Sequence, residues 1–265
     1  MYGELFTKFL SVLNLIYSVA GELANFDWDL FFAPFILLCS TLPIKPKPDD
    51  SLPKKRLTKL ERQQFKLEEN LTEVLFGSLL GDLFIQKDKL HPNRNSRLRF
   101  SQSIAHKDYI YHLFELFKSY CGSGPTIINQ LPDKRTGNVS TAIFFVTYSL
   151  PCFNFLHEMF YPEGKKIVPL NVQSLLTPTS LGYWICDDGS LCKTSGRLTI
   201  CTDSFTLDEV NLLANTLNEK WNLECYINKT SNGGFRIIIP KRSLPILQNL
   251  LNPIMPSMML HKIGL

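Results

Sequence analysis

Two aspartates, Asp82 and Asp188, close apolar helical segments 106 residues apart in a chain of 265 residues. The segments read "LFGSLLGDL" (75–83) and "LGYWICDDG" (181–189). Carboxylates brought side by side without a partner repel, and one of them is driven to take up a proton. A divalent cation removes that conflict. Hard oxygen ligands that leave positions open to water suit Mg²⁺, and two carboxylates around such ions serve in-line displacement at phosphodiesters. Two lysines accompany the acids. Lys166 in "YPEGKKIVP" and Lys262 in "MPSMMLHK" each lie beside a proline-marked turn, 84 and 74 residues after their aspartates.

The elements that must position these groups recur as well. Gly77 and Gly81 lie four residues apart in an apolar helix. Each costs about 1 kcal/mol relative to alanine, but small residues at that spacing let two helix backbones approach closely. The second segment follows Thr177 and Pro178, a capping residue and a proline at the first helical position. If the two helices pack side by side, their ends bring Asp82 and Asp188 to one edge.

After each aspartate comes an alternating strand. In "SRLRFSQSI" (96–104), Arg97, Arg99, Ser101 and Ser103 share one face, with Leu98, Phe100 and Ile104 on the other. In "GRLTICT" (196–202), Arg197, Thr199 and Cys201 oppose Leu198 and Ile200. A helix follows in each half, over 106–119 with Tyr109, Leu113 and Phe117 on one stripe, and over 206–221 behind a Thr206–Glu209 capping box. Two more strands come next, in "PTIINQ" and "STAIFFVTYS", then in "LECYINKT" and "GFRIIIP". A closing helix ends each half, over 152–161 and 244–251. The pattern predicts an α+β protein with αββαββα given twice, over residues 58–170 and 171–265. A single acid before a glycine is ordinarily a capped turn. Packing alone, however, asks for no acid at the same point of both helices.

The bulk numbers agree with this without deciding it. There are 28 basic and 24 acidic residues, a net charge of +4, and the excess falls after residue 58. That suits a nucleic-acid binder carrying metal-binding acids, and equally many ordinary enzymes. The seven cysteines form no C-x-x-C pair, which argues against a disulfide framework or zinc knuckle. Apolar runs at 9–20 and 31–42 are 12 residues each, short of the roughly 20 that span a bilayer. Residues 1–57 therefore read as a helical extension with a proline-rich linker at 43–56, and no stable membrane partner is expected.

The chain resembles a single-chain, intron-encoded LAGLIDADG homing endonuclease over about residues 58–265. The nine-letter signature maps onto 75–83 and 181–189, and its metal-binding acid falls on Asp82 and Asp188. The phrases "KKIVP", "LTPTSLGYW", "DDGS", "TDSFTLDEV" and "PSMMLHK" carry the rest of the likeness. Tyr183 and Asp187 replace small residues of the signature, which leaves close approach on the second helix to Gly182.

The resemblance implies two pseudo-symmetric halves, paired motif helices at their interface, and a saddle of antiparallel sheets over DNA. It implies a monomeric, Mg²⁺-dependent, site-specific double-strand DNA endonuclease. Asp82 and Asp188 would hold the ions, with Lys166 and Lys262 as catalytic residues that polarise the attacking water or steady the charge of the transition state. Arg97, Arg99, Ser101, Ser103, Arg197 and Thr199, with Lys229 and Arg236, would divide base edges and phosphates between them. The alternative that it carries is a maturase that binds intron RNA and assists splicing. An organelle is implied, a mitochondrion before a plastid.

Overall fold

Thr58 opens the first helix through a capping box with Glu61, each donating a backbone N–H to the other's side chain. The computed structural model describes residues 56–88, 90–91, 93–132 and 137–265. The extension and linker expected over 1–57 lie outside those residues up to 55. After α1 (Lys59–Gln64) comes the first motif helix, α2 (Glu69–Leu80), then β1 (Phe84–Gln86), β2 (Arg97–Ser103), α3 (Lys107–Phe117), β3 (Thr126–Asn129), β4 (Thr141–Val146) and α4 (Asn154–Phe160). A short α5 (Val172–Leu175) leads to the second motif helix, α6 (Pro178–Asp188). Then follow β5 (Gly189–Leu191), β6 (Leu198–Cys201), α7 (Leu207–Trp221), β7 (Tyr226–Lys229), β8 (Phe235–Ile239) and α8 (Leu244–Leu251).

The repeat read from sequence is a repeat in space. The two antiparallel sheets have equivalent orders, β1-β2-β4-β3 and β5-β6-β8-β7. Phe84 pairs with Arg99 and Ser190 with Thr199, so corresponding positions after each aspartate meet corresponding positions of the next strand. β1 and β5 are three residues each, too short for an alternating pattern to announce them. Ile104 turns into a 3-10 segment after β2, and Arg197 stands one residue ahead of β6.

Each sheet packs one face on helices. Leu98, Phe100, Ile143 and Phe145 are buried in the first half, with Phe100 stacked on Phe145 at 4.6 Å. Leu198, Ile200, Ile237 and Ile239 are buried in the second. Tyr109, Leu113 and Phe117 of α3 are buried, as their stripe predicts. Helix α7 keeps its capping box, Thr206 N–H donating to Glu209 at 2.7 Å, and ends on Asn222 in the left-handed region at φ 53. Among the described residues no helix is long and apolar enough to cross a membrane.

Candidate active site and nucleic-acid interface

The seam between the motif helices is where the two glycines matter. A Cβ built on Gly77 would stand 2.0 Å from the Ser180 carbonyl oxygen, inside any tolerable contact. The Ser180 hydroxyl crosses the same seam and donates to the Glu73 carbonyl at 3.0 Å. One turn on, the space beside Gly81 is filled by Asp187, whose Oδ2 accepts the Asp82 backbone N–H at 3.3 Å. Gly182 does not belong to this seam. A Cβ there would meet Met255, Ile254 and Leu251 at 3.3–3.8 Å, on and just after α8. The expectation for Gly182 is thus corrected: close approach on the second helix occurs at Ser180, within its first turn. Tyr183, the bulky departure from the signature, is buried and ties α6 to the first half through a 2.8 Å bond to His112.

Because the helices run in the same direction, Asp82, Asp187 and Asp188 gather at one edge. Asp82 is exposed, and Gln102 donates its amide to Asp82 Oδ2 at 2.7 Å. Asp188 is half-buried; burial and the Asp82 charge raise its carboxyl to about 7, with Lys166, Trp184 and Lys262 pulling the other way. Burial, then Asp82 and Asp188, holds Asp187 well above the ordinary carboxylate range and favours its neutral acid. Both raised acids express the same situation, burial first and then the crowding of three carboxyl groups.

The lysines sit at the helix ends. Lys166 donates to the Gly81 carbonyl at 2.5 Å, and Lys262 to the Gly189 carbonyl at 2.8 Å. Ammonium groups there satisfy main-chain carbonyls that each helix leaves over and oppose the negative end of its dipole. Burial lowers Lys166 from its ordinary value, against the attraction of Asp188, Asp187 and Asp82 in that order.

Among the described residues no three histidine, cysteine, aspartate or glutamate side chains form a ready-made metal cage. The donor set fits Mg²⁺ nonetheless. That ion is commonly held by one or two carboxylates, with phosphate oxygens and water completing its shell. A cation would also relieve the charge conflict around Asp188.

Gln102 and Asp187 carry no weight in the sequence reading of the site. The signal for Gln102 is nevertheless present: it continues the apolar series Leu98, Phe100 as a polar residue facing the helices. In the second half the same series, Leu198 and Ile200, breaks at Thr202. That hydroxyl is buried and donates to the Phe235 carbonyl at 2.5 Å, away from Asp188. The two ends of the seam are therefore built differently.

On the opposite face of the first sheet, Arg97, Arg99, Ser101 and Ser103 project together. Arg97 donates to Gln86 at 2.8 Å, and the Arg99 guanidinium lies 4.2 Å from the Phe144 ring centre. On the second sheet Thr199 shares its face with Tyr226 and Arg236. Arg197 donates to the Tyr226 hydroxyl at 3.3 Å, and Arg236 forms a two-point pair with Asp203, its shortest contact 2.6 Å. Lys229 is the exception. It pairs opposite Phe235, in register with Ile227 and Ile237 on the helix-facing side. Its neighbour Asn228, opposite Arg236, holds the saddle-face position expected for Lys229.

The chain matches the model of the LAGLIDADG DNA endonuclease family over residues 72–247. It is 31% identical over 202 residues to cytochrome b mRNA maturase bI2 of Debaryomyces hansenii, covering 75% of each chain. It is also 31% identical over 216 residues to DNA endonuclease I-ChuI of Chlamydomonas applanata, covering 75% of this chain and 96% of that one. The fold resembles that of the homing endonuclease I-WcaI bound to its DNA recognition sequence, with a TM-score of 0.71 at 30% identity. That likeness covers 79% of this chain and 94% of the other.

Proposed function

The chain belongs to the LAGLIDADG DNA endonuclease family, and on that premise we propose that it is a site-specific homing endonuclease that cuts both strands of its DNA target with Mg²⁺. The observation that carries the reading is the seam. Two acids from two halves of one chain meet at the shared end of helices packed as closely as Gly77 and Ser180 allow.

Asp82 and Asp188 are the residues that would hold the metal. Bound there, it would supply a more acidic water and stabilise charge on the leaving oxygen. Gln102 orients the Asp82 carboxylate by its hydrogen bond. Lys166 and Lys262 keep positive charge beside the acids, where an ammonium stabilises charge that develops on a phosphate. Arg97, Arg99, Ser101, Ser103, Arg197 and Thr199 face the duplex from the two sheets. Arg236 reaches it only by sharing or leaving Asp203. The protein acts as a monomer, because one chain supplies both halves, and it works in an organelle, a mitochondrion before a plastid.

Incubation with the intron-lacking allele of the host locus tests this. Double-strand cleavage in Mg²⁺ that stops in EDTA supports the reading; an uncut allele under both conditions overturns it. The 31% identity to a maturase favours a second role, in which the protein binds intron RNA and assists splicing. Splicing assays with and without the protein decide that role independently of cleavage.

A further inference from the structure

A basic shelf continues the first sheet beyond its outer end. Gln102 lies at the Asp82 end of β2 and Arg97 at the other, five residues away, or roughly 17 Å along an extended strand. Past Arg97 the surface does not end. A groove holding Arg94, Asn95 and Arg97 opens there, and it runs into a larger one of about 620 Å³ lined by Arg56, Lys59, Arg62 and Arg94. A third hollow joins Arg56 back to Arg97 and to Val146 at the end of β4. With Lys87, six cations thus line connected hollows, against Asp88, which pairs with Arg94 at 2.7 Å. The Arg62 Nε is buried without a hydrogen-bond partner among the described residues.

The chemistry is that of a phosphate backbone. The lining is polar and cationic, too wide for one small anion, and continuous with a strand that faces the duplex. The second half is built differently at the corresponding end. Between β1 and β2 run ten residues, 87–96, and between β5 and β6 only six, 192–197; α1 packs on the Pro151–Phe153 turn before α4, whereas α5, the short helix ahead of α6, packs on α7.

We propose that this shelf binds the phosphates of double-stranded DNA flanking the recognition site, on the first-half side alone. The footprint on DNA is then longer on one side of the cut than on the other. The inference rests on the endonuclease reading for the path of the duplex.

The test uses the full chain and duplexes from the intron-lacking allele, trimmed stepwise from either end, with affinity measured at several salt concentrations. Wild type should lose affinity at a greater distance from the cut on one side than on the other. The combined variant Arg56→Gln, Lys59→Gln, Arg94→Gln should trim symmetrically, with the salt slope of log K reduced by about 0.9 for each phosphate that is no longer neutralised. Lys59→Glu alone, a single exposed substitution, should shift the same profile in part. Symmetric trimming by wild type, or an unchanged slope and profile in both variants, overturns the proposal. So does loss of intron-RNA binding with the DNA profile intact, which would assign the shelf to RNA. Cleavage of the untrimmed allele by wild type reports separately on the endonuclease reading.

Discussion

Asp187 occupies the space beside Gly81: a Cβ built on that glycine would stand 2.6 Å from Asp187 Cβ and 2.7 Å from its Oδ2. The seam therefore holds one acid from the second helix against the end of the first, and the glycine is what admits it.

Alanine at the three glycines should separate seam from periphery. Gly77→Ala drives a methyl group into the Ser180 main chain, which cannot swing aside, and should cost about 1–3 kcal/mol or more. At this size that is a Tm loss of about 2–4 °C per kcal/mol. Gly81→Ala meets Asp187 Cβ at 2.6 Å, which side-chain rotation cannot move, so it should cost stability too, but less than the 2.0 Å main-chain clash at Gly77. Gly182→Ala meets the flexible Met255 side chain at 3.3 Å and should be mildest. Equal melting temperatures for all three would contradict the packing described.

Much of this is legible because the chain states it twice. Asp82 and Asp188, the strand–helix order and the paired lysines all recur at matching points, and recurrence separates a site from a capped turn. What stays hidden is what recurrence does not encode. Gly182 sits at a signature position but packs on α8, since helix rotation rather than spacing decides which neighbour a glycine meets. Lys229 has no register in the sequence alone, and one residue of offset puts a side chain on the other side of the sheet. Gln102 interrupts an apolar face, and only its bond to Asp82 explains the interruption. Asp187 reads as a departure from small residues, although the space that it fills is prepared by Gly81 in the other half.

The pH dependence of stability should reveal the crowded acids. Asp188 titrates near 7 in the folded protein against an ordinary 3.8, so between these values the folded state keeps a proton that the unfolded chain has lost. Stability from this group is present at low pH and is lost as pH rises through about 7. Relative to wild type in EDTA, Asp188→Asn should thus gain Tm between pH 5 and pH 8, by calorimetry. Mg²⁺ should raise the wild-type Tm more at pH 8 than at pH 5, because metal competes with the proton. The opposite ordering of either pair would contradict the charge conflict.

The lysines should act strand by strand. Lys166→Met and Lys262→Met should each slow one strand, and opposite strands, by about 10²-fold, so that nicked circles accumulate before linear product. Each also removes a bond to a helix-end carbonyl, so a modest fall in Tm is expected beside the kinetic effect. Wild-type cutting of both strands by both variants would make them structural caps alone.

The sheet faces should separate binding from stability. Arg99→Ala removes a guanidinium stacked on Phe144. It should either lower the salt slope by about one for all sequences or relax preference at one base pair by ~1–3 kcal/mol. Leu98→Ala should lower Tm with the salt slope unchanged, and Lys229→Ala should leave base preference as it was. A shift in base preference with Lys229→Ala would contradict the register assigned to β7.

Cleavage by single acid-to-amide variants tests the shared seam most directly. Asn keeps the shape of Asp82 or Asp188 and removes the charge that the metal needs. Either Asp82→Asn or Asp188→Asn alone should abolish double-strand cleavage of a target plasmid in Mg²⁺, with DNA affinity held within about tenfold, or ~1.4 kcal/mol. Linear product formed by either variant at the wild-type rate would contradict the assignment of these two acids.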